Sequence, residues 1–166
     1  KGHKSVAGAA YRAGEKLHDE RYNMDHDYQN RGDVQYSGIM LPEGADSRFS
    51  DREFLWNAVE HNELRKDSQV AIDYILALPK ELNLDNQIEL ARNFARYHFV
   101  DKGLVVDVAV HDKGDGNPHA HLYTTTRRLL GDRFDRLKAR DLMPKIRNGF
   151  SSLASCPKSN FNASSS

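Results

Sequence analysis

The sequence has one cysteine, Cys156, and one tryptophan, with five prolines in 166 residues. A lone cysteine excludes an internal disulfide and fits a reducing compartment, so a cytoplasmic location is expected. No apolar run approaches the ~20 residues a membrane helix needs, and no secretory signal pattern is seen. Net charge is also lacking: 24 basic residues balance 24 acidic ones. That balance argues against a simple nucleic-acid coat protein. Long low-complexity tracts and internal repeats are missing, except that residues 151–166 are Ser/Asn-rich and read as a tail or linker. What remains, 39% hydrophobic and 29% charged, is an ordinary composition for one globular domain with its own core. The domain is expected over residues 1–150.

The distribution of charge is less even than its sum. Arg127, Arg128, Arg133, Arg136, Lys138, Arg140, Lys145 and Arg147 face only Asp132, Asp135 and Asp141 in the same stretch. This excess is suited either to phosphates or to a solvated charged face.

The informative pattern is a set of histidines. Residues 104–111 (LVVDVAVH) are a β-branched run, DKGDGN is dense in turn formers, and HAHLYTTT alternates again. This predicts strand, turn, strand. Side chains alternate along a strand, so His119 and His121 share a face, and a hairpin brings His111 to it. Three imidazoles converging there make a metal site. Val106, Val108 and Val110 occupy the other face and read as core. Asp107 lies on the histidine face, where it is either a partner to the ligands or a solvated carboxylate.

Elsewhere, residues 5–19 predict a helix with Ser5 as N-cap and Tyr11 mid-helix beside the small Ala7, Gly8 and Ala10. Residues 21–44 read as irregular with short extended pieces, closed by a turn at Pro42 to Gly44. Residues 50–66 predict a second helix with a Ser50/Glu53 capping box, and 69–78 a strand ended by Pro79. Residues 85–102 predict a third helix with Gly103 as its C′ residue. Residues 127–150 read as extended and then helical. The elements imply an α+β fold with a mostly antiparallel central sheet flanked by helices.

These residues carry a resemblance. HDKGDGNPHAH is similar to the metal hairpin of the MobA/MobL-type plasmid relaxases, which include conjugal-transfer TraA-like relaxase domains. They belong to the HUH endonucleases, named for two histidines flanking a hydrophobic residue, here His119-Ala120-His121. AAYRAGEKLHDER resembles the family's nucleophile helix. HDYQNRGDVQYSGIMLPEGA, DREFLWNAVEHNELRKDSQVA, ALPKEL and FARYHFVDKGLVVDVAVHD follow in the family's order, so the resemblance covers about residues 5 to 140.

The resemblance implies a relaxase/Rep-like fold and an activity: nicking one DNA strand at a plasmid origin of transfer, leaving a covalent 5′-phosphotyrosine. Tyr11 matches the family nucleophile, and Arg65 an arginine used near the scissile phosphate. Asp73 stands where a glutamate is usual before the ALP turn; Ile72-Asp73 replaces the family's Arg-Glu pair. His111, His119 and His121 are the implied ligands of one divalent metal ion. All-imidazole ligation suits zinc, nickel, copper or iron, whereas manganese or magnesium want more oxygen, so the metal stays open. Implied partners are single-stranded origin DNA with an adjacent hairpin and other relaxosome and transfer proteins. The family normally opens with an apolar strand ahead of the tyrosine helix. That strand is not in this sequence, and residues ahead of Lys1 are expected in the molecule, because a missing central strand would expose apolar surface. Two other functions fit part of the pattern. A metal-dependent hydrolase explains the histidines but not Tyr11 or Arg65. A non-catalytic origin-DNA-binding module would carry a degenerate metal site.

Overall fold

The computed structural model describes residues 4–143 and the backbone of 146, 147, 150 and 151. The Ser/Asn-rich segment from 152 onward, with Cys156, lies outside the described residues. In chain order the elements are α1 (Ser5–Ala13), β1 (Lys16–Asp19), β2 (Met24–Asp27), β3 (Val34–Met40), α2 (Arg52–Asn62), β4 (Ala71–Ala77), α3 (Leu84–His98), β5 (Val106–His111), β6 (His119–Thr125), β7 (Arg127–Leu130) and β8 (Arg133–Lys138).

The centre is a four-stranded antiparallel sheet in the order β3-β5-β6-β4. Helix α3 closes one face: its Ala91 and Ala95 pack in a core with Val106, Val108, Val110, Ala120, Leu122 and Tyr74. The small alanines let the helix approach the β-branched face closely, and the three valines are fully buried, as alternation predicts. Helices α1 and α2 cover the other face in a second core holding Val6, Ala9, Ala10, Leu55, Trp56, Val59 and Tyr123. The predicted α+β class with an antiparallel sheet and flanking helices is the fold observed.

Several element boundaries differ from the sequence reading. Helix α1 stops at Ala13 because Gly14 turns left-handed at φ 66°, its N–H returning to the Ala10 carbonyl. Residues 16–27 then form the β1–β2 hairpin, where the end of the first helix and an irregular stretch were expected, and 34–40 is one strand where only short extended pieces were expected. These strands are short and polar, so neither length nor alternation marks them. Ser5 is not the cap of α1; that position is Lys4, which makes no side-chain cap. The Ser5 N–H and hydroxyl instead donate to Glu60 of α2, at 2.8 and 2.5 Å. The cap of α2 is Asp51, which accepts from Phe54 N, so the expected Ser50/Glu53 box does not form. Glu53 accepts from His18 N of β1.

Helix α3 ends at His98, with a 3-10 turn over Val100–Lys102 before Gly103 at φ 95°. The basic stretch after 127 folds as the β7–β8 hairpin, followed by a 3-10 turn at Arg140–Leu142; part of the helix expected up to 150 lies outside the described residues. Much of its charge is already committed. Arg127 grips Glu63, Arg128 binds Asp141 and the Lys102 carbonyl, and Lys138 binds the Gln69 carbonyl. Arg133, Arg136 and Arg140 stay exposed.

Candidate metal centre and tyrosine helix

Pairing of β5 with β6 sets the geometry. His111 lies opposite His119, and Ala109 opposite His121, so all three histidines emerge on the face that α1 and α2 cover. The turn between the strands is built by Gly114 and Gly116, at φ 76° and 81°. The ring centroids of His111, His119 and His121 lie 4.6 to 5.5 Å apart. One ring nitrogen from each lies within 4.8 Å of the others.

One nitrogen of every ring has an acceptor. His111 Nε2 donates to the Arg12 carbonyl at 2.7 Å, His119 Nδ1 to the Asn117 carbonyl at 3.1 Å, and His121 Nδ1 to Asp73 at 2.9 Å. Each acceptor fixes a tautomer, leaving lone pairs on His111 Nδ1, His119 Nε2 and His121 Nε2. Burial also holds His111 below the ordinary imidazole range, against the pull of the Arg12 carbonyl, so it stays neutral. Three imidazoles, each with one nitrogen engaged and the other open to a ligand bond, fit a divalent cation, and three protein ligands leave positions for a substrate.

Asp73 sits on β4 opposite Tyr123, diagonal to His121. Its carboxylate also meets Arg12 at 3.1 Å. Burial raises its pKa, but His121 and Arg12 outweigh that and hold it low, so it is a carboxylate at neutral pH. The aspartate thus reaches the histidines despite being shorter than the family's usual glutamate.

Asp107 takes no part in the cluster. It is buried and grasped by Arg52 Nε and Nη2 (2.8 and 2.9 Å) and by the Trp56 indole N–H (3.0 Å). Burial alone would favour its neutral form, but only a carboxylate satisfies all three donors, so the pair is ionised. Neither a ligand partner nor a solvated carboxylate describes it.

Tyr11 is 47% exposed near the end of α1. The Tyr28 ring meets it edge-on at 5.3 Å, and the Arg31 guanidinium lies 3.9 Å from its ring centroid. Arg31 also donates to the Tyr11 carbonyl at 2.9 Å and is held by both oxygens of Asp33. Burial opposes Arg31's charge, yet Asp33 and Tyr11 keep its pKa raised. Arg65 is elsewhere. It lies in the segment before β4, 81% exposed, with Asp67 at 3.5 Å and Lys138 in its electrostatic reach. Thus the structure joins His111 and Asp73 to Arg12, the neighbour of Tyr11 on α1, and places Arg65 in a separate segment beside Asp67. Sequence reasoning missed Arg12 and Arg31. The only signal for them was an arginine beside the tyrosine and another before a Gly-Asp turn.

An antiparallel sheet with three histidines on the face beneath a tyrosine helix is a relaxase-type fold. The model of the MobA/MobL family matches residues 3–161, and the chain belongs to that family. A probable mobilization protein MobA of Bifidobacterium longum (strain NCC 2705) is 33% identical over 129 residues, covering 77% of this chain and 23% of the relative. A probable conjugal transfer protein TraA of Sinorhizobium fredii (strain NBRC 101917 / NGR234) is 37% identical over 147 residues, covering 82% of this chain and 13% of that protein. The chain therefore spans under a quarter of these curated relatives. A structure solved for the molecular basis of vancomycin resistance transfer in Staphylococcus aureus superposes with a TM-score of 0.76. It is 40% identical, over 82% of this chain and 71% of that one.

Proposed function

We propose that this chain is a relaxase domain that nicks and rejoins one strand of plasmid DNA at an origin of transfer, with Tyr11 as the nucleophile. The observation that carries this reading is the His111–Arg12 hydrogen bond of 2.7 Å, which fastens the residue next to Tyr11 to the metal-binding face. A solvent-reachable phenol on the helix tied to a divalent-metal site is suited to phosphoryl transfer, whereas a simple hydrolase would not need it. The names of the MobA and TraA relatives support the same reading.

In this mechanism the Tyr11 oxygen attacks the scissile phosphorus in line with the departing 3′ oxygen. The Tyr11–phosphorus bond forms as the bond to the 3′ oxygen breaks, and the phenol proton ends on the new 3′ hydroxyl. The phosphodiester energy is retained in the phosphotyrosine, so reversal reseals the strand without a nucleotide. His111, His119 and His121 would hold the divalent cation, which supplies positive charge beside the phosphate oxygens. Asp73 keeps the His121 tautomer, and Arg31 holds the Tyr11 ring. Single-stranded origin DNA with a neighbouring hairpin is the proposed partner, together with relaxosome and transfer proteins. The Arg65 side chain, apart from the histidines, would meet DNA away from the scissile phosphate.

Incubation with single-stranded origin DNA and Mn²⁺ should give a covalent protein–DNA product. Tyr11→Phe should abolish it with folding and metal binding intact. An undiminished product from Tyr11→Phe would exclude Tyr11 as the nucleophile.

A further inference from the structure

One residue touches both halves of the site. Arg12 follows Tyr11 on α1, and its carbonyl accepts the His111 Nε2–H at 2.7 Å. Its guanidinium turns back along the helix, donating to the Gly8 carbonyl at 2.7 Å and lying 4.4 Å from the Tyr123 ring centroid. There it meets Asp73 at 3.1 Å, whose same oxygen accepts the His121 Nδ1–H at 2.9 Å. His111 comes from β5, His121 from β6 and Asp73 from β4, so Arg12 joins three strands to the tyrosine helix.

We propose that Arg12 is the positioning residue that couples the metal site to the nucleophile helix: its carbonyl orients His111 while its side chain, through Asp73, orients His121. This rests on the reading of the three histidines as metal ligands. Ion binding and docking of the end of α1 are then one event, because the same residue must be in place for both. The local sequence is shaped for this. A methyl group on Gly8 would stand 2.7 Å from the Tyr123 hydroxyl and 2.8 Å from Arg12 Nη1, so only glycine leaves the path of the guanidinium open. Stability alone does not account for the arrangement. Arg12 Nε is buried without a hydrogen-bond partner among the described residues, which a purely structural side chain would avoid. The Asp73 bond also does more than neutralise charge: it holds the carboxylate against the imidazole, with both oxygens within 3.2 Å of His121 Nδ1, and hence sets the ring's orientation.

The experiment compares wild type, Arg12→Gln, Arg12→Met, Asp73→Asn and the Arg12→Gln/Asp73→Asn double variant. Mn²⁺ and Ni²⁺ affinity is read by calorimetry, and exchange of the α1 backbone amides is read with and without metal. Arg12→Met retains the stem over Tyr123 and serves where Arg12→Gln folds poorly. The expected result is a loss of roughly 10- to 100-fold in metal affinity for either Arg12 variant, similar to Asp73→Asn. The double variant should lose little more than the worse single one. Metal should slow amide exchange at residues 9–13 in wild type and much less in the Arg12 variants. Wild-type affinity in both Arg12 variants, or fully additive losses, would overturn the coupling while leaving the metal site standing. Absence of metal binding by wild type would instead remove the metal site itself, and the coupling with it.

Discussion

At the scale of single residues, the site divides into groups that meet a metal and groups that hold a tyrosine. Arg31 belongs to the second. Its guanidinium over the Tyr11 ring, with Tyr28 at the ring edge, leaves the phenol few alternative orientations. Cation–π contacts of this kind contribute about 0.5–2 kcal/mol. Arg31→Ala is therefore expected to slow formation of the covalent DNA product by roughly tenfold, since 1.36 kcal/mol is tenfold in rate. Metal affinity should stay at its wild-type value, because Arg31 bonds to none of the three histidines. Single-turnover nicking beside a metal titration checks both halves; an unchanged rate would remove Arg31 from the site. The histidines were legible in the sequence because a turn and a two-residue alternation determine a shared face. Arg12 and Arg31 were not. The Arg12 contact to His111 spans 99 positions, and no local pattern encodes it. Arg65 shows the converse: sequence similarity marks the position, but the fold sets its exposed side chain beside Asp67.

At the scale of elements, the joint between α2 and the β7–β8 hairpin carries a pH dependence. Glu63 follows α2 and is gripped by Arg127 at 2.6 Å, with Lys138 at 3.9 Å. Burial pushes Glu63 upward, but Arg127, Ser68 and Lys138 win and its pKa lies below the ordinary 4.5. A depressed carboxylate stabilises the fold above its unfolded pKa, and that contribution is lost as pH falls through the folded value. Wild type should therefore exceed Glu63→Gln in stability at pH 7, with the gap closing below about pH 4.5. Urea melts at both ends of that range measure it; a gap that widens in acid would show that the joint does not depend on the ionised carboxylate. The same joint accounts for part of the basic stretch, whose sequence suits either phosphates or a solvated charged face. Arg127 looks uncommitted in one dimension, and only the packing of β7 beside α2 supplies Glu63 as its acceptor. The β1–β2 hairpin was missed for a related reason. Four-residue strands such as MDHD are too short and polar to show periodicity, and they are held by pairing and by α2 contacts.

At the scale of the whole molecule, the sheet must be held against α2 as well as against α3. The buried Arg52–Asp107 pair does this from the first turn of α2 to the start of β5, with Trp56 adding a third donor. Glu15 joins from the segment after α1 at 2.5 Å. Breaking a buried ion pair from one side leaves a charge without its partner and costs about 3–5 kcal/mol. Asp107→Ala should lose stability on that order in denaturant, while Asp107→Asn, which keeps acceptor geometry, should lose less. Equal stability of wild type and Asp107→Ala would mean that Glu15 alone satisfies Arg52.

The sequence by itself determined the secondary pattern that matters most, the histidine hairpin, because strand alternation and turn chemistry are local. It also marked α3 and the valine face, whose apolar spacing is periodic. Tertiary structure alone decided that Asp107 serves α2 and Asp73 serves His121. Both are strand aspartates on the same face of the sheet, and nothing within either strand distinguishes them. What distinguishes them is which helix covers each end of that face: Arg52 and Trp56 of α2 reach Asp107, and Arg12 of α1 reaches Asp73. A carboxylate's role follows from the donors brought to it, and those donors arrive from parts of the chain that only folding makes neighbours.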